Sequence, residues 1–340
     1  MIEAQEAVGP GASPPAGRPV ILRARAAAGA IGRSRTLLLA ALVAALFAYM
    51  AITSTSTFVS SDNFAAVLLN MAQFGILAIG MMILMIAGQF DLSVGGVLAL
   101  AGVVAGLLVQ DHGTPAAVAF ALGIAVGGLC GLINGLVVSR LRINALIATL
   151  ATVGIYRGVT QLLSGTGVSS IGHDFQVFGQ TKLLGLQLPF WIMLVLVVLA
   201  MIALGKLKYF QRFYYVGGSA KAAARLGINV EQMVLVGFII TGLLAGLAGV
   251  LLASRLNNAV ITAGTGVELQ VITAVVLGGA SLKGGVGTIQ GAILGVVFIA
   301  LVQNALILKG VDVFWQGIVI GVVLLFAVAI DMASSQEDRE

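Results

Sequence analysis

The chain has 340 residues, of which 59% are hydrophobic and only 9% are charged, and its mean hydropathy is +1.10. An ordinary soluble domain carries about 25% charged residues, so this composition excludes a water-soluble globular protein and indicates an integral membrane protein. A net charge of +5 would suit a nucleic-acid partner, but aromatic residues make up only 6% of the chain. In a membrane protein the basic excess reports topology instead, and we expect no nucleic acid.

Ten apolar runs follow one another along the chain, and polar, glycine-rich or charged breaks separate them. A membrane crossing by a helix needs about 20 mostly apolar residues, and the eighth run is short for that. The runs are residues 37–52, 64–87, 93–109, 115–139, 145–163, 188–205, 232–253, 266–279, 288–308 and 313–330. Barrel strands alternate in hydrophobicity, whereas these runs are apolar throughout. The sequence therefore predicts an all-α polytopic transmembrane bundle of about ten helices.

Most basic residues fall in alternate breaks, which become cytoplasmic if the N-terminus is cytoplasmic. The positive-inside rule then places both termini on the cytoplasmic side of a bacterial inner membrane. Residues 1–34 are expected to form a disordered arm, 35–331 the transmembrane domain with a cytoplasmic loop at 206–230, and 332–340 a tail. The basic arm and first run also resemble a cleaved signal peptide, but the even helix count requires the first run to be retained.

Glycine accounts for 45 residues, and in two runs the glycines recur on or near one helix face. Small residues let membrane helices approach closely, since lipid offers them no hydrophobic reason to associate. These glycines predict close helix packing rather than chemistry. They are Gly123, Gly127, Gly128, Gly131 and Gly135 in the fourth run and Gly242, Gly246 and Gly249 in the seventh.

The motifs of common catalytic sites are missing from the sequence. It has no P-loop and no His-Glu-x-x-His motif, and it holds one cysteine and two widely separated histidines. We therefore expect no enzyme activity, no metal site and no cofactor. The runs also almost lack acidic residues, which disfavours an ion-coupled transporter. Arg157 is the one ionisable residue well inside a run; it could snorkel, pair or line a cavity. Transport energy would then come from a partner chain.

Two breaks look specific. The first, at 87–96, contains Asp91 and Ser93, which either cap the third helix or lie in irregular backbone beside a polar path. The second, at 262–269, has Thr265 and Glu268 at the spacing of a capping box. A glycine-rich stretch at 277–287 mirrors the first break and suggests a trace of an internal repeat.

The loop at 206–230 contains a good short helix in residues 218–229, with Gly227 placed to cap its end. One interpretation is an interfacial helix that rests on anionic lipid headgroups. The other is a docking helix for a cytoplasmic protein that supplies the energy.

Several motifs, in order, resemble the permease subunits of ribose-, xylose- and arabinose-type ATP-binding cassette importers. The sequence GQFDLSVG at 88–95 is similar to the family's GGIDLSVG, and NGL at 134–136, ATLAT at 148–152 and IYRG at 155–158 have counterparts there. AAARLGIN at 222–229 resembles the family segment EAARLSGI. The resemblance covers about residues 64–331. The acidic residues that usually open the cytoplasmic segment are replaced here by Ala220, Lys221 and Ala222.

This resemblance implies a non-catalytic permease that forms the path for a monosaccharide. Its partners would be a second permease chain, expected as a homodimer, a cytoplasmic ATPase, a sugar-binding protein in the periplasm or on a lipid anchor, and membrane lipid. The segment expected to couple to the ATPase comprises Lys221, Ala222, Ala223, Arg225, Leu226, Gly227 and Ile228. A branched-chain amino-acid permease is the main alternative, and an ion-coupled secondary transporter is a second.

Polar groups in or beside the runs are candidates for the translocation path. An equally good interpretation of several of them is hydrogen bonding between helices of the bundle. The candidates are Asn70, Gln73, Asp91, Ser93 and Asn304.

Overall fold

The computed structural model describes residues 18–337, and it is almost entirely helical. The helices are α1 Arg18–Thr53, α2 Thr55–Phe58, α3 Ser61–Ile86, α4 Val94–Gln110, α5 Ala116–Ser139, α6 Ala145–Ser164, α7 His173–Gln180, α8 Leu188–Lys206, α9 Lys208–Gly218, α10 Ala220–Arg225, α11 Val230–Leu256, α12 Val267–Leu277, α13 Ile289–Leu308 and α14 Val313–Glu337. The all-α fold expected from the sequence is confirmed.

Each of the ten predicted apolar runs corresponds to one helix. Within the described residues, seven helices are long and apolar enough to cross a membrane, and three shorter apolar helices match the remaining runs at 94–110, 267–277 and 314–329. The eighth run, expected to be short, is the 11-residue helix α12. Polar side chains outside the apolar runs start several helices: Asn144 accepts from Leu146 N–H, and Asn229 from Gln232 N–H.

The N-terminal arm differs from the expectation. Helix α1 begins at Arg18, so the predicted disorder is wrong for residues 18–34, where arginines and alanines of high helix propensity extend the helix ahead of the apolar run. Residues 1–17 lie outside the described part of the chain. The loop at 206–230 also contains an additional helix, α9, before the predicted short one.

Four two-residue strands accompany the helices. Strand β1 (Val168–Ser169) pairs antiparallel with β4 (Asn258–Ala259), with Val168 opposite Ala259. Strands β2 (Lys182–Leu183) and β3 (Leu186–Gln187) form a hairpin. The β1–β4 pair joins the ends of α6 and α11, and helix α7 packs against α11 beside it.

Helices α3 and α11 lie at the centre of the bundle and have the most buried side chains. Helix α11 packs most extensively on α5, where Gly127 faces Gly246 and Gly131 faces Gly242 backbone to backbone. The close packing predicted from the glycine faces of these two helices is confirmed.

The packing of α3–α6 recurs in α11–α14. Helix α5 packs on α11, and its counterpart α13 packs on α3. Helix α4 packs on both α5 and α6, and its counterpart α12 packs on both α13 and α14. The two central helices each precede a break and a shorter helix. This correspondence indicates an internal repeat, but in it the break between α3 and α4 matches the break between α11 and α12, and not the glycine-rich stretch at 277–287 that the sequence suggested as its counterpart.

Candidate functional site

The first break joins α3 to α4 and turns at Gly88, whose φ is +74°. Asp91 accepts a hydrogen bond from the backbone N–H of Ser93 at 2.7 Å, so Asp91 caps this helix start, as one of the two interpretations predicted. Ser93 makes no capping bond. Both side chains are fully buried, at 1% and 0% exposure.

A buried hydrogen-bond network holds this break against α5 and α6. Asn134 donates to the Ser93 hydroxyl at 2.8 Å and to the Asp91 carboxylate at 3.3 Å. The hydroxyl of Tyr156 lies 3.0 Å from the Asn134 side-chain oxygen, and Thr149 accepts from Leu92 N–H at 3.0 Å. Irregular backbone is tolerated in a bilayer only where protein or water satisfies it. Here protein does so.

The network includes three residues that the sequence did not single out as site candidates: Asn134, Thr149 and Tyr156. All three fall in the motifs that carry the family resemblance. Their signal in the sequence is a polar side chain inside an apolar run. That signal alone does not identify the partners, because they lie on separate segments: the break before α4, α5 and α6.

The second break, between β4 and α12, has a different geometry from the one predicted. Gly266 precedes α12 with φ +76° and no side chain caps the helix. Because the helix begins only at Val267, Thr265 lies outside it and donates instead to the carbonyl of Thr262. The predicted capping box is therefore wrong, and no hydrogen-bond partner for Glu268 Oε2 occurs among the described residues.

The two breaks meet. A Cβ placed on Gly264 would lie 3.1 Å from the Cα of Gly95, and one placed on Gly95 would lie 2.6 Å from Oε2 of Glu268. The alternating topology predicted from the sequence assigns these breaks to opposite sides of the membrane. Their contact places both inside the bundle, where α4 begins and α12 begins. Arg157 is adjacent and donates to the carbonyl of Ile261 in the second break at 3.3 Å.

The other path candidates lie elsewhere. Asn304 on α13 exchanges two hydrogen bonds with Asn63 on α3, at 2.7 and 3.2 Å, which is the interhelical bonding expected as its alternative. Gln73 lines a cavity of about 20 Å³, large enough for one water, together with Pro189 and Arg255. Asn70 is half-buried on α3. The structure thus brings Asp91 and Ser93 together and leaves the other three apart from them.

The predicted coupling segment forms a short exposed helix. Ser219 caps α10 by accepting from Ala222 N–H, and the chain leaves the helix at Gly227, with φ +77°, as predicted. Ala223 is buried and Ile228 is half-buried, while Leu226 is 72% exposed. Four further members of the segment are exposed: Lys221, Ala222, Arg225 and Gly227.

Helix α9 connects this segment to the end of α3 and to the glycine-rich stretch at 277–287. The Tyr214 hydroxyl donates to the carbonyl of Gly287 at 2.9 Å, and burial raises the pKa of this phenol, so it remains a donor at neutral pH. Gly217 packs directly on the carbonyl of Ile86 and on Gly285, where any side chain would clash. Movement of α9 would therefore displace the end of α3 and the stretch that follows α12.

Known proteins resemble this chain over most of its length. The family model described as "Branched-chain amino acid transport system / permease component" matches residues 63–328. The ribose import permease protein of Bacillus subtilis (strain 168) is 39% identical over 82% of this chain and 87% of its own length. That of Escherichia coli (strain K12) is 38% identical, over 84% and 91%. The L-arabinose ABC transporter permease protein of Azospirillum brasilense is 36% identical, over 86% of each.

No solved structure matches the chain significantly. The family match and the relatives both cover more than two thirds of the chain. The residues matched by the family model include both breaks and the coupling segment. The chain belongs to the family of membrane permease components that includes the ribose and arabinose import permeases.

Proposed function

We propose that this chain is the permease subunit of an ATP-binding cassette importer, and that it forms the path by which a monosaccharide crosses the bacterial inner membrane. The observation that carries the proposal is the identity of 34–39% with permeases named for ribose or L-arabinose, over most of both chains. The branched-chain amino-acid alternative rests on the family's name alone.

Energy for transport comes from ATP hydrolysis by a separate ATPase subunit. The ATPase docks on α10, whose exposed Leu226 and Arg225 offer an apolar contact and a charge. Helix α9 transmits its movement, because Gly217 and Tyr214 contact the ends of both α3 and the stretch after α12. A partner that binds two conformations differently shifts the population between them. ATP binding and hydrolysis thereby open the path to alternate sides.

A second permease chain completes the path, and a binding protein delivers the sugar on the outer side. We expect a homodimer in a multi-pass bilayer arrangement, with both termini cytoplasmic. Large apolar side chains on α6 and α8, such as Leu162 at 88% exposure and Val195 at 57%, face lipid or the second chain. The contact between Gly95 and Gly264 supports a path through the region where the two breaks meet.

The experiment is uptake by proteoliposomes that hold the permease with its ATPase and binding protein. Radiolabelled D-ribose, L-arabinose and L-leucine are offered separately, with and without ATP. We expect ATP-dependent uptake of a sugar and none of leucine. Uptake of leucine alone would replace the proposal with the amino-acid alternative, and uptake that an uncoupler abolishes would replace it with a secondary transporter.

A further inference from the structure

Two charged side chains beside the meeting breaks hold buried atoms that lack a hydrogen-bond partner in the part of the chain described. They are Nη2 of Arg157 and Oε2 of Glu268. An ionisable group within membrane-embedded protein is costly unless it is paired or serves a pathway. Two such groups of opposite charge, both incompletely satisfied and both next to irregular backbone, indicate a site that a ligand completes.

The geometry places the two groups on either side of one helix start. At the beginning of α4, a Cβ placed on Gly96 would lie 3.3 Å from Val153 of α6, which is one turn from Arg157. The neighbouring Gly95 packs on the carboxylate of Glu268. Glu268 belongs to the second break, and Arg157 contacts the chain at the start of that break. Arg157 donates through Nη1 to the carbonyl of Ile261, and Glu268 lies in the first turn of α12.

The side chains do not satisfy each other in this conformation. Among the described residues, Arg157 and Glu268 form no ion pair with each other, whereas Arg142 and Glu231 form one on the exposed surface at 3.6 Å. Guanidinium Nη2 therefore needs an acceptor, and carboxylate Oε2 needs a donor. Glycines at 95 and 96 leave the start of α4 without side chains between the two groups, so access to both depends on how closely the breaks approach.

We propose that Arg157 and Glu268 contact the hydroxyl groups of the sugar as it passes the meeting breaks. A sugar hydroxyl accepts from a guanidinium and donates to a carboxylate, so one polyhydroxylated ligand satisfies both atoms. A cation would satisfy Glu268 alone and an anion Arg157 alone. A zwitterionic amino acid would also satisfy both, and the inference therefore rests on the proposed sugar function.

The test uses proteoliposomes that contain the full importer, with radiolabelled D-ribose and L-arabinose as probes. Glu268→Gln keeps the size of the side chain and removes its charge, and Arg157→Gln removes the charge and leaves a shorter polar side chain. A charge-assisted hydrogen bond is markedly stronger than a neutral one. We expect sugar transported per ATP hydrolysed to fall about tenfold in each variant, while ATP hydrolysis stimulated by the loaded binding protein stays at the wild-type rate. Arg157→Lys, which retains the charge, should restore part of the loss.

Matched controls come from the exposed pair. Arg142→Gln and Glu231→Gln change the same residue types where the side chains are 82% and 55% exposed, and both should transport sugar as the wild type does. If the Arg157→Gln variant fails to insert into the membrane, the test relies on Glu268→Gln and Arg157→Lys.

Three results would overturn the inference. They are unchanged transport per ATP in the Arg157 and Glu268 variants, an equal loss in the two controls, or dissociation of the permease pair in light scattering, which would show that a second copy satisfies these atoms. Failure of the proposed function is separate, because the wild-type importer would then not transport either sugar.

Discussion

Gly285 donates its backbone N–H to the carbonyl of Ile86 at 2.8 Å. This bond ties the last turn of α3 to the stretch that follows α12, and Gly217 of α9 packs on both partners. Three segments that are far apart in the chain thus meet where α9 contacts the bundle. We expect movement of α9 to reach both halves of the repeat through this contact.

Gly217→Ala tests that contact. The added methyl group would overlap the Ile86 carbonyl and push α9 away, so we expect sugar transported per ATP hydrolysed to fall while the permease still inserts. Gly218→Ala is the matched control, because the next glycine has open space around its Cβ position. Equal coupling in the two variants, measured in proteoliposomes, would contradict a role for the contact.

Arg225→Glu tests the docking surface. Arg225 is exposed at the end of α10, and reversing its charge opposes a complementary ATPase surface without disturbing the bundle. We expect lower transport-coupled ATPase activity at normal membrane insertion. Arg212→Glu, at an exposed position on α9, provides the control. An unaffected coupling rate in Arg225→Glu would place the docking surface elsewhere.

Asn134→Ala tests the network around the first break. The substitution removes the donor shared by Ser93 and Asp91 and leaves their buried oxygens unsatisfied, which costs about 1–3 kcal/mol. Cys130→Ala, one turn away and equally buried, removes no side-chain donor from Asp91 or Ser93. Thermal unfolding of the purified permease should show a clearly larger loss for Asn134→Ala. Similar losses would mean that the network adds nothing beyond packing.

Gly127→Ala tests the packing of α5 on α11. A Cβ there would lie 2.6 Å from the Cα of Gly246, and overpacking of this kind costs about 1–3 kcal/mol. Gly154→Ala on α6 meets open space and should leave the melting temperature unchanged or raise it slightly. If Gly127→Ala leaves the melting temperature unchanged, the close contact between α5 and α11 does not limit the size of the side chain at this position.

Local patterns in the sequence predict much of this fold. Hydropathy locates every apolar helix, glycine spacing identifies the closely packed faces of α5 and α11, and the Asp91 cap follows from one short motif. These features depend on residues close together in the chain, so a single sequence carries them.

The remaining features depend on contacts that the sequence does not encode locally. The contact between Gly95 and Gly264 joins two breaks that the predicted topology assigns to opposite sides of the membrane. The capping box failed because Gly266 adopted a left-handed conformation and shifted the helix start by one residue beyond Thr265. Helix α9 was missed because its amphipathic pattern, with Phe213 and Val216 buried, is short and lies among basic residues.

The central claim is that this chain is a passage that partner proteins open and close. Accumulation of radiolabelled ribose or arabinose in proteoliposomes, measured for the permease alone and for the permease with its ATPase and binding protein, tests it most directly. The account predicts accumulation only with both partners and ATP, and unchanged by an uncoupler. Accumulation by the permease alone, driven by a proton or sodium gradient, would contradict it.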